Sequence, residues 1–256
     1  MTALVTGASS GIGREIARCL GKFGMRLVIS GRNKERLEEL KKEIGEKRVK
    51  IIIADISKKE ECFRLYKKAS RYGVDILVNN AGFGLYGEFS GTSLERELEM
   101  IDVNIKSVHI LTKLFLRDFI KKDRGYILNV ASAAGFLPGP LMATYYSTKN
   151  YVVRLTEAIH EELRSSGSRV YIGAFCPGPV DTNFNKTAGV KFALKGISDD
   201  YAAMCAVEGM FSRRPLIIPT LTMKAGIVGS RFVPDTLLSM ITRHMQSKKA
   251  GKPRSI

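Results

Sequence analysis

The segment Thr6-Gly7-Ala8-Ser9-Ser10-Gly11-Ile12-Gly13 lies between a short apolar run, Ala3 to Thr6, and an amphipathic stretch from Ile12 to Phe23. Glycine lets a backbone turn tightly and come close to a ligand. A helix that begins directly after such a turn offers unpaired N–H groups to an anion. A glycine trio alone is weak evidence, but a trio that ends a strand and opens a helix reads as a phosphate-binding turn. The spacing is TGxxxGxG rather than GxGxxG.

The rest of the chain repeats the alternation of strand and helix. Strands are expected at Leu27–Ile29, Val49–Ala54, Ile76–Val78, Tyr126–Val130, Val170–Phe175 and Pro215–Pro219. Helices are expected at Asn33–Ile44 with Asn33 as N-cap, at Lys58–Arg71, from Leu94 to about Lys121, and at Thr144–Arg164. Continuous Val/Ile/Leu strands between helices are strands buried on both faces. That pattern predicts an α/β fold, a doubly wound parallel sheet with right-handed crossovers. With no linker and no repeat, residues 1–256 read as a single domain. The least regular part runs from Pro177 to Met210, and residues 183–211 are expected to form an insertion covering the substrate site.

Apolar residues at 45% and charged residues at 26% fit a globular chain. No apolar run approaches the roughly 18–20 residues that cross a bilayer, and Met1 to Gly7 do not resemble a signal peptide. Cys19, Cys62, Cys176 and Cys205 are widely separated, and His109, His160 and His244 form no ligand pattern. Neither a metal site nor a disulfide framework is therefore expected, and a reducing cytoplasm is the expected location. The formal charge is +16, and from Phe211 onward nine Lys and Arg stand against a single acid, Asp235. The basic C-terminal segment leaves open a contact with anionic membrane or an acidic acyl carrier. A nucleic-acid partner is not expected, because no aromatic stacking motif or basic reading helix accompanies the charge.

Further segments follow the strands in a recognisable order. Asp55 follows the third strand, Asn79-Asn80-Ala81-Gly82 the fourth, and Pro177-Gly178-Pro179-Val180-Asp181-Thr182 the sixth. Together with TGxxxGxG, these resemble the short-chain dehydrogenase/reductase family from the first residues to about residue 182. Beyond that point the likeness is to the ketoacyl and hydroxysteroid reductase branch, and more general. The resemblance implies a Rossmann fold and a dinucleotide held by Gly7, Ser9, Ser10, Gly11, Ile12 and Gly13. It implies Asp55 at the adenine, and Asn80, Ala81 and Gly82 along the cofactor. It also places Pro177, Gly178, Val180 and Thr182 on the nicotinamide side.

Tyr145 and Lys149 stand four apart at the start of a helix and share one face. A nearby ammonium favours a phenolate and is expected to lower the Tyr145 pKa, giving a group that exchanges protons in carbonyl reduction. Ser132 ends the fifth strand, where its hydroxyl can hold a substrate oxygen, or simply cap the strand end. Tyr146 is a competing phenol at the wrong spacing. The resemblance assigns a catalytic tetrad to Asn104, Ser132, Tyr145 and Lys149, with Asn104 holding a relay water. It also gives Lys149 a contact with the ribose.

The second strand is followed by Ser30-Gly31-Arg32, without the acid that binds a ribose 2′-hydroxyl. Arg32 can fork onto a 2′-phosphate instead, so NADP(H) is expected rather than NAD(H). Arg14 either adds charge near that phosphate or is a solvated helix residue.

The expected activity is that of an oxidoreductase interconverting a ketone and a secondary alcohol on a hydrophobic small molecule. Alternatives are an oxoacyl reductase, a hydroxysteroid dehydrogenase or a non-catalytic dinucleotide sensor. Candidate substrate contacts are Phe83, Leu85, Tyr86, Phe136, Leu137, Leu141, Met142, Phe184, Phe192, Met204 and Met210. One apolar stripe is expected through Leu94, Leu98, Ile101, Ile105, Val108, Leu111 and Phe115, widened by Leu114 and Phe119. Tyr151 and Ala158 are expected to face away from the sheet. The family pairs these two long helices across a two-fold axis, so a homodimer or homotetramer is expected.

Overall fold

The computed structural model describes residues 1–180 and 196–247. Seven parallel strands form one sheet in the order β3-β2-β1-β4-β5-β6-β7. They are β1 Thr2–Thr6, β2 Arg26–Gly31, β3 Val49–Ile53, β4 Ile76–Asn79, β5 Tyr126–Val130, β6 Tyr171–Phe175 and β7 Leu216–Ile217. The helices are α1 Gly11–Lys22, α2 Lys34–Ile44, α3 Lys59–Ser70, α4 Leu94–Ile101, α5 Ser107–Lys122, α6 Ala143–Ser165, α7 Asp199–Phe211, α8 Leu221–Ser230 and α9 Asp235–Ser247. This is the expected Rossmann-like α/β fold.

The period of two along each strand divides the core into two layers. Ala3, Val5, Leu27, Ile29, Ile76 and Val78 pack with α1, α2 and α7 on one face. Leu4, Val28, Leu77 and Ile127 pack with α3 and α5 on the other. Asn33 caps α2 as expected, its Oδ1 accepting from the Arg36 N–H at 2.8 Å. The sheet order reverses between β1 and β4, which opens a crevice beyond their carboxyl ends.

Two expectations fail in instructive ways. The long helix after β4 is not continuous: a π-helical segment, Asp102–Lys106, separates α4 from α5. Its extra residue breaks the apolar stripe. Leu111, Phe115 and Phe119 are core residues, whereas Leu94 and Leu98 are exposed. Phe119 therefore completes the core rather than adding apolar surface. Second, the region expected to be irregular contains α7. Its Ala202, Ala203, Ala206, Val207 and Met210 are buried in the layer that holds α1. Residues 199–211 are thus a wall of the core and not a cover. Residues 183–195 of the expected insertion lie outside the described residues.

Candidate active site

The strand ends converge on one cleft of about 540 Å³. Along it lie Gly7, Ser9, Ser10, Gly11 and Ile12 from the turn after β1. Asn80, Ala81 and Gly82 follow from β4, and Pro177, Gly178 and Val180 from β6. Arg32, Asp55, Ser132, Tyr145 and Lys149 complete the expected set in the cleft wall. Gly13 and Asn104 stand behind the wall, and Thr182 lies outside the described residues.

Gly7 has a φ of +65°, and a Cβ there would sit 2.8 Å from the Ala81 Cα. Gly13 has a different job from the one expected. A Cβ on it would meet the Gly7 carbonyl at 2.6 Å and the Asn80 amide, so its bareness lets α1 close against β4. Asn80 then fastens the turn, donating through Nδ2 to the Thr6 and Gly7 carbonyls at 3.0 and 3.2 Å. Thr6, which sequence reasoning passed over, ties the same joint. Its Oγ1 accepts from the Asn80 and Ala81 N–H groups at 3.0 and 3.2 Å. Helix α1 starts at Ser10 without a side-chain cap and without an acid in its first turn, leaving positive N–H ends at the cleft.

At the β2 end, Ser30 is buried and its Oγ has no hydrogen-bond partner. Arg32 is exposed and pairs with Glu99 at 3.2 Å. Asp55 accepts from Ser57 at 2.8 Å. Arg14 is not a cleft residue. Its guanidinium bonds Glu43 on α2, so it belongs to the α1–α2 ion network.

Tyr145 and Lys149, one turn apart on α6, are both buried. Lys149 Nζ donates to the Val130 carbonyl at 2.9 Å and lies 5.9 Å from the centre of the Tyr145 ring. Burial depresses the Lys149 pKa to about 8. The Tyr145 hydroxyl runs opposite to expectation. Burial pushes its pKa up, and a hydrogen bond with Ser132 only partly opposes this. Desolvation of the phenolate therefore outweighs any help from the ammonium. Ser132 also caps the turn Ala133–Phe136, its Oγ accepting from the Ala134 N–H at 3.1 Å.

Asn104 owes its position to the π segment. It is buried, donates to the Phe83 carbonyl at 2.9 Å and to Thr148 Oγ1 at 3.0 Å, and accepts from the Phe83 N–H at 3.1 Å. Thr148 in turn donates to the Tyr145 carbonyl at 2.7 Å, linking Asn104 to the turn of α6 that carries Tyr145. No sequence pattern had singled out Thr148.

Phe83, Leu137 and Met142 line the far end of the cleft as expected. Leu85, Tyr86, Phe136 and Leu141 do not, Met204 is exposed on α7, and Met210 is in the core. Phe184 and Phe192 lie outside the described residues. Tyr146, Met223, Met245 and Gln246 also line the cleft. Tyr146 bonds the Gln246 amide on α9, which separates it from the Ser132–Tyr145 pair. His109 Nδ1 and the Tyr151 hydroxyl meet at 2.7 Å on the outer side of α5 and α6. Among the described residues, no group of three metal-ligating side chains occurs and no helix is long and apolar enough to cross a membrane.

Comparison with known proteins agrees with this architecture. The family model described as short chain dehydrogenase matches residues 1–191. An uncharacterized oxidoreductase of Staphylococcus aureus strain MRSA252 is 35% identical over 187 residues, covering 72% of this chain and 80% of the relative. A short-chain dehydrogenase from Sphingobium yanoikuyae in complex with NADPH superposes with a TM-score of 0.82. It is 29% identical, with 90% of this chain and 93% of that one covered. The bulky-bulky ketone specific alcohol dehydrogenase from Comamonas testosteroni gives a TM-score of 0.77 at 26% identity, covering 90% and 92% of the two chains. From its first strand to the segment after its sixth, this chain belongs to the short-chain dehydrogenase family of oxidoreductases.

Proposed function

We propose that this protein is an NADP(H)-dependent carbonyl reductase that interconverts a hydrophobic ketone and its secondary alcohol. The observation that carries the reading is the meeting of Ser132, Tyr145 and Lys149 in the same cleft as the glycine turn.

The cleft's chemistry fits a dinucleotide. The uncapped start of α1 suits a pyrophosphate, and the unpaired Ser30 Oγ needs a partner of the kind a ribose or phosphate supplies. With no acid at the end of β2, Arg32 can exchange Glu99 for a 2′-phosphate, so NADP(H) is favoured over NAD(H). The Sphingobium relative binds NADPH, in line with this reading. Gly7, Ser9, Ser10, Gly11, Ile12, Asp55, Asn80, Ala81, Gly82, Pro177, Gly178 and Val180 would hold the cofactor along the cleft. The bound nicotinamide supplies or accepts the hydride.

The chain's own residues handle the oxygen. The Ser132 hydroxyl, already polarised by the Ala134 N–H, orients the substrate carbonyl. Tyr145 donates the proton to the developing alkoxide. Its raised pKa keeps it protonated at neutral pH, the state that reduction requires. Lys149 stabilises the phenolate left behind, and Asn104 holds Phe83 and Thr148 so that the Tyr145 turn stays in place. Phe83, Leu137, Met142 and Met223 favour an apolar substrate, and the Comamonas relative is specific for bulky-bulky ketones. We further propose a single functional domain that assembles as a homodimer or homotetramer through α5 and α6.

The test is NADPH oxidation with aliphatic ketones, aromatic ketones, oxosteroids and oxoacyl thioesters. Turnover of at least one apolar ketone supports the reading. Tight NADPH binding with no turnover across the panel would make the protein a sensor instead.

A further inference from the structure

Helices α8 and α9 expose apolar residues at helical spacing. On α8 and the turn after it these are Leu221, Ala225, Val228 and Phe232, with Leu221 82% and Phe232 84% exposed. On α9 they are Leu237, Met240, Ile241 and Met245, while Leu238, Thr242 and Gln246 face the protein. Such side chains in water at regular spacing mark a surface that meets something apolar. Exposed Lys224, Arg231 and Arg243 accompany them, and the sequence continues with Lys248, Lys249, Lys252 and Arg254. Asp235 is the sole acid from Phe211 onward.

We propose that α8 and α9 form an interfacial anchor that lays this protein on a membrane surface carrying anionic lipid. The charge selects the occupant. A second copy seated across a two-fold axis would bring two sets of the same basic residues together, with only Asp235 from each to offset them. Anionic headgroups attract the exposed Lys224, Arg231 and Arg243, and the apolar side chains of α8 and α9 beside them enter the headgroup–acyl boundary. At 10 and 13 residues, the helices are far too short to span a bilayer, so they lie in its plane. The same helices supply Met223, Met245 and Gln246 to the cleft wall. A membrane-dissolved apolar substrate would then enter beside the anchor, a consequence that rests on the proposed reaction, whereas binding itself does not.

The experiment is flotation of the full chain with vesicles, without any turnover. Phosphatidylcholine vesicles with about one third phosphatidylglycerol should carry the protein up, and pure phosphatidylcholine vesicles should carry much less. The triple variant K224E/R231E/R243E should reduce partitioning by about 100-fold or more, at roughly five-fold for each charge removed and more for its reversal. V228D/F232D should abolish flotation with an unchanged circular dichroism spectrum, because both residues are exposed. Failure of the unaltered chain to float with anionic vesicles overturns the proposal. So does flotation that survives V228D/F232D, which would place the contact elsewhere. An oligomer that V228D/F232D splits, in a chain that does not float, would assign this face to a second copy.

Discussion

The two ends of the cleft are built on opposite rules. Where β1 and β4 meet, Thr6, Asn80, Gly7 and Gly13 lock backbone to backbone, and nearly every polar atom has a named partner. Where α8 and α9 close the other end, Met223 and Met245 line the wall while Leu221, Val228 and Phe232 face outward. The first end is rigid, and in the proposed reading it fixes where a dinucleotide stands. The second offers adaptable apolar surface, of the kind a family can alter without moving its chemistry.

Substitutions can measure that contrast. Tyr145→Phe should have the largest effect, lowering ketone reduction by about 10²–10⁴-fold or more while NADPH binding stays nearly unchanged. Steady-state kinetics beside a fluorescence titration of NADPH separates the two. Activity near the wild-type level would assign proton transfer to another group.

Next in size is Arg32→Asp. Losing a charge-assisted contact and adding repulsion should shift the NADPH/NADH ratio of kcat/KM by roughly 1.5–3 kcal/mol toward NADH. An unchanged ratio would leave Arg32 as no more than the partner of Glu99.

Lys149→Met should show a smaller, pH-dependent effect on stability. The folded lysine loses its proton at about 8, the unfolded one near 10.4. Between these values the unfolded chain binds more protons, so wild-type stability rises with pH across that window. The methionine variant should therefore gain on the wild type by about 1–2 kcal/mol at pH 7, and the gain should shrink by pH 10. Urea unfolding at both pH values reads this. A difference that does not vary with pH would mean that the ammonium is not desolvated in the fold.

Phe232→Asp should have the smallest effect on folding, within about 0.5 kcal/mol, since the ring packs on little. A larger loss in thermal unfolding would show that the outward face of α8 already has a partner within the chain.

What could be read in advance follows the same contrast. The glycine turn, the strand ends and the Tyr145–Lys149 spacing were legible because each answers a backbone or chemical demand that few residue types meet. Helix α7 was not. Its Ala202, Ala203, Cys205, Ala206 and Val207 are small or apolar nearly all round, so no stripe marks it. The available signal was Ser198 before Asp199 and Asp200, an N-cap followed by acids in the first turn. Arg14 stays open between two readings in the sequence because its partner, Glu43, lies 29 residues away on another helix. The C-terminal end of the cleft was hardest, since methionines and leucines serve a wall, a core or a surface equally well.

The π segment also makes this helix sensitive to length. A residue of α-helix turns through about 100°, so one added residue puts the two flanks out of phase by about that angle. Asp102 and Lys106, paired to each other and partly or fully open to solvent, can change identity with little consequence. Losing any one residue from 102–106 is different. The gap would close into ordinary helix, and either Asn104 would swing away from Phe83 and Thr148 or α5 would rotate Leu111 and Phe115 off the sheet. At Asp102 and Lys106 the identity of the side chain is free to drift, but the number of residues in the segment is not.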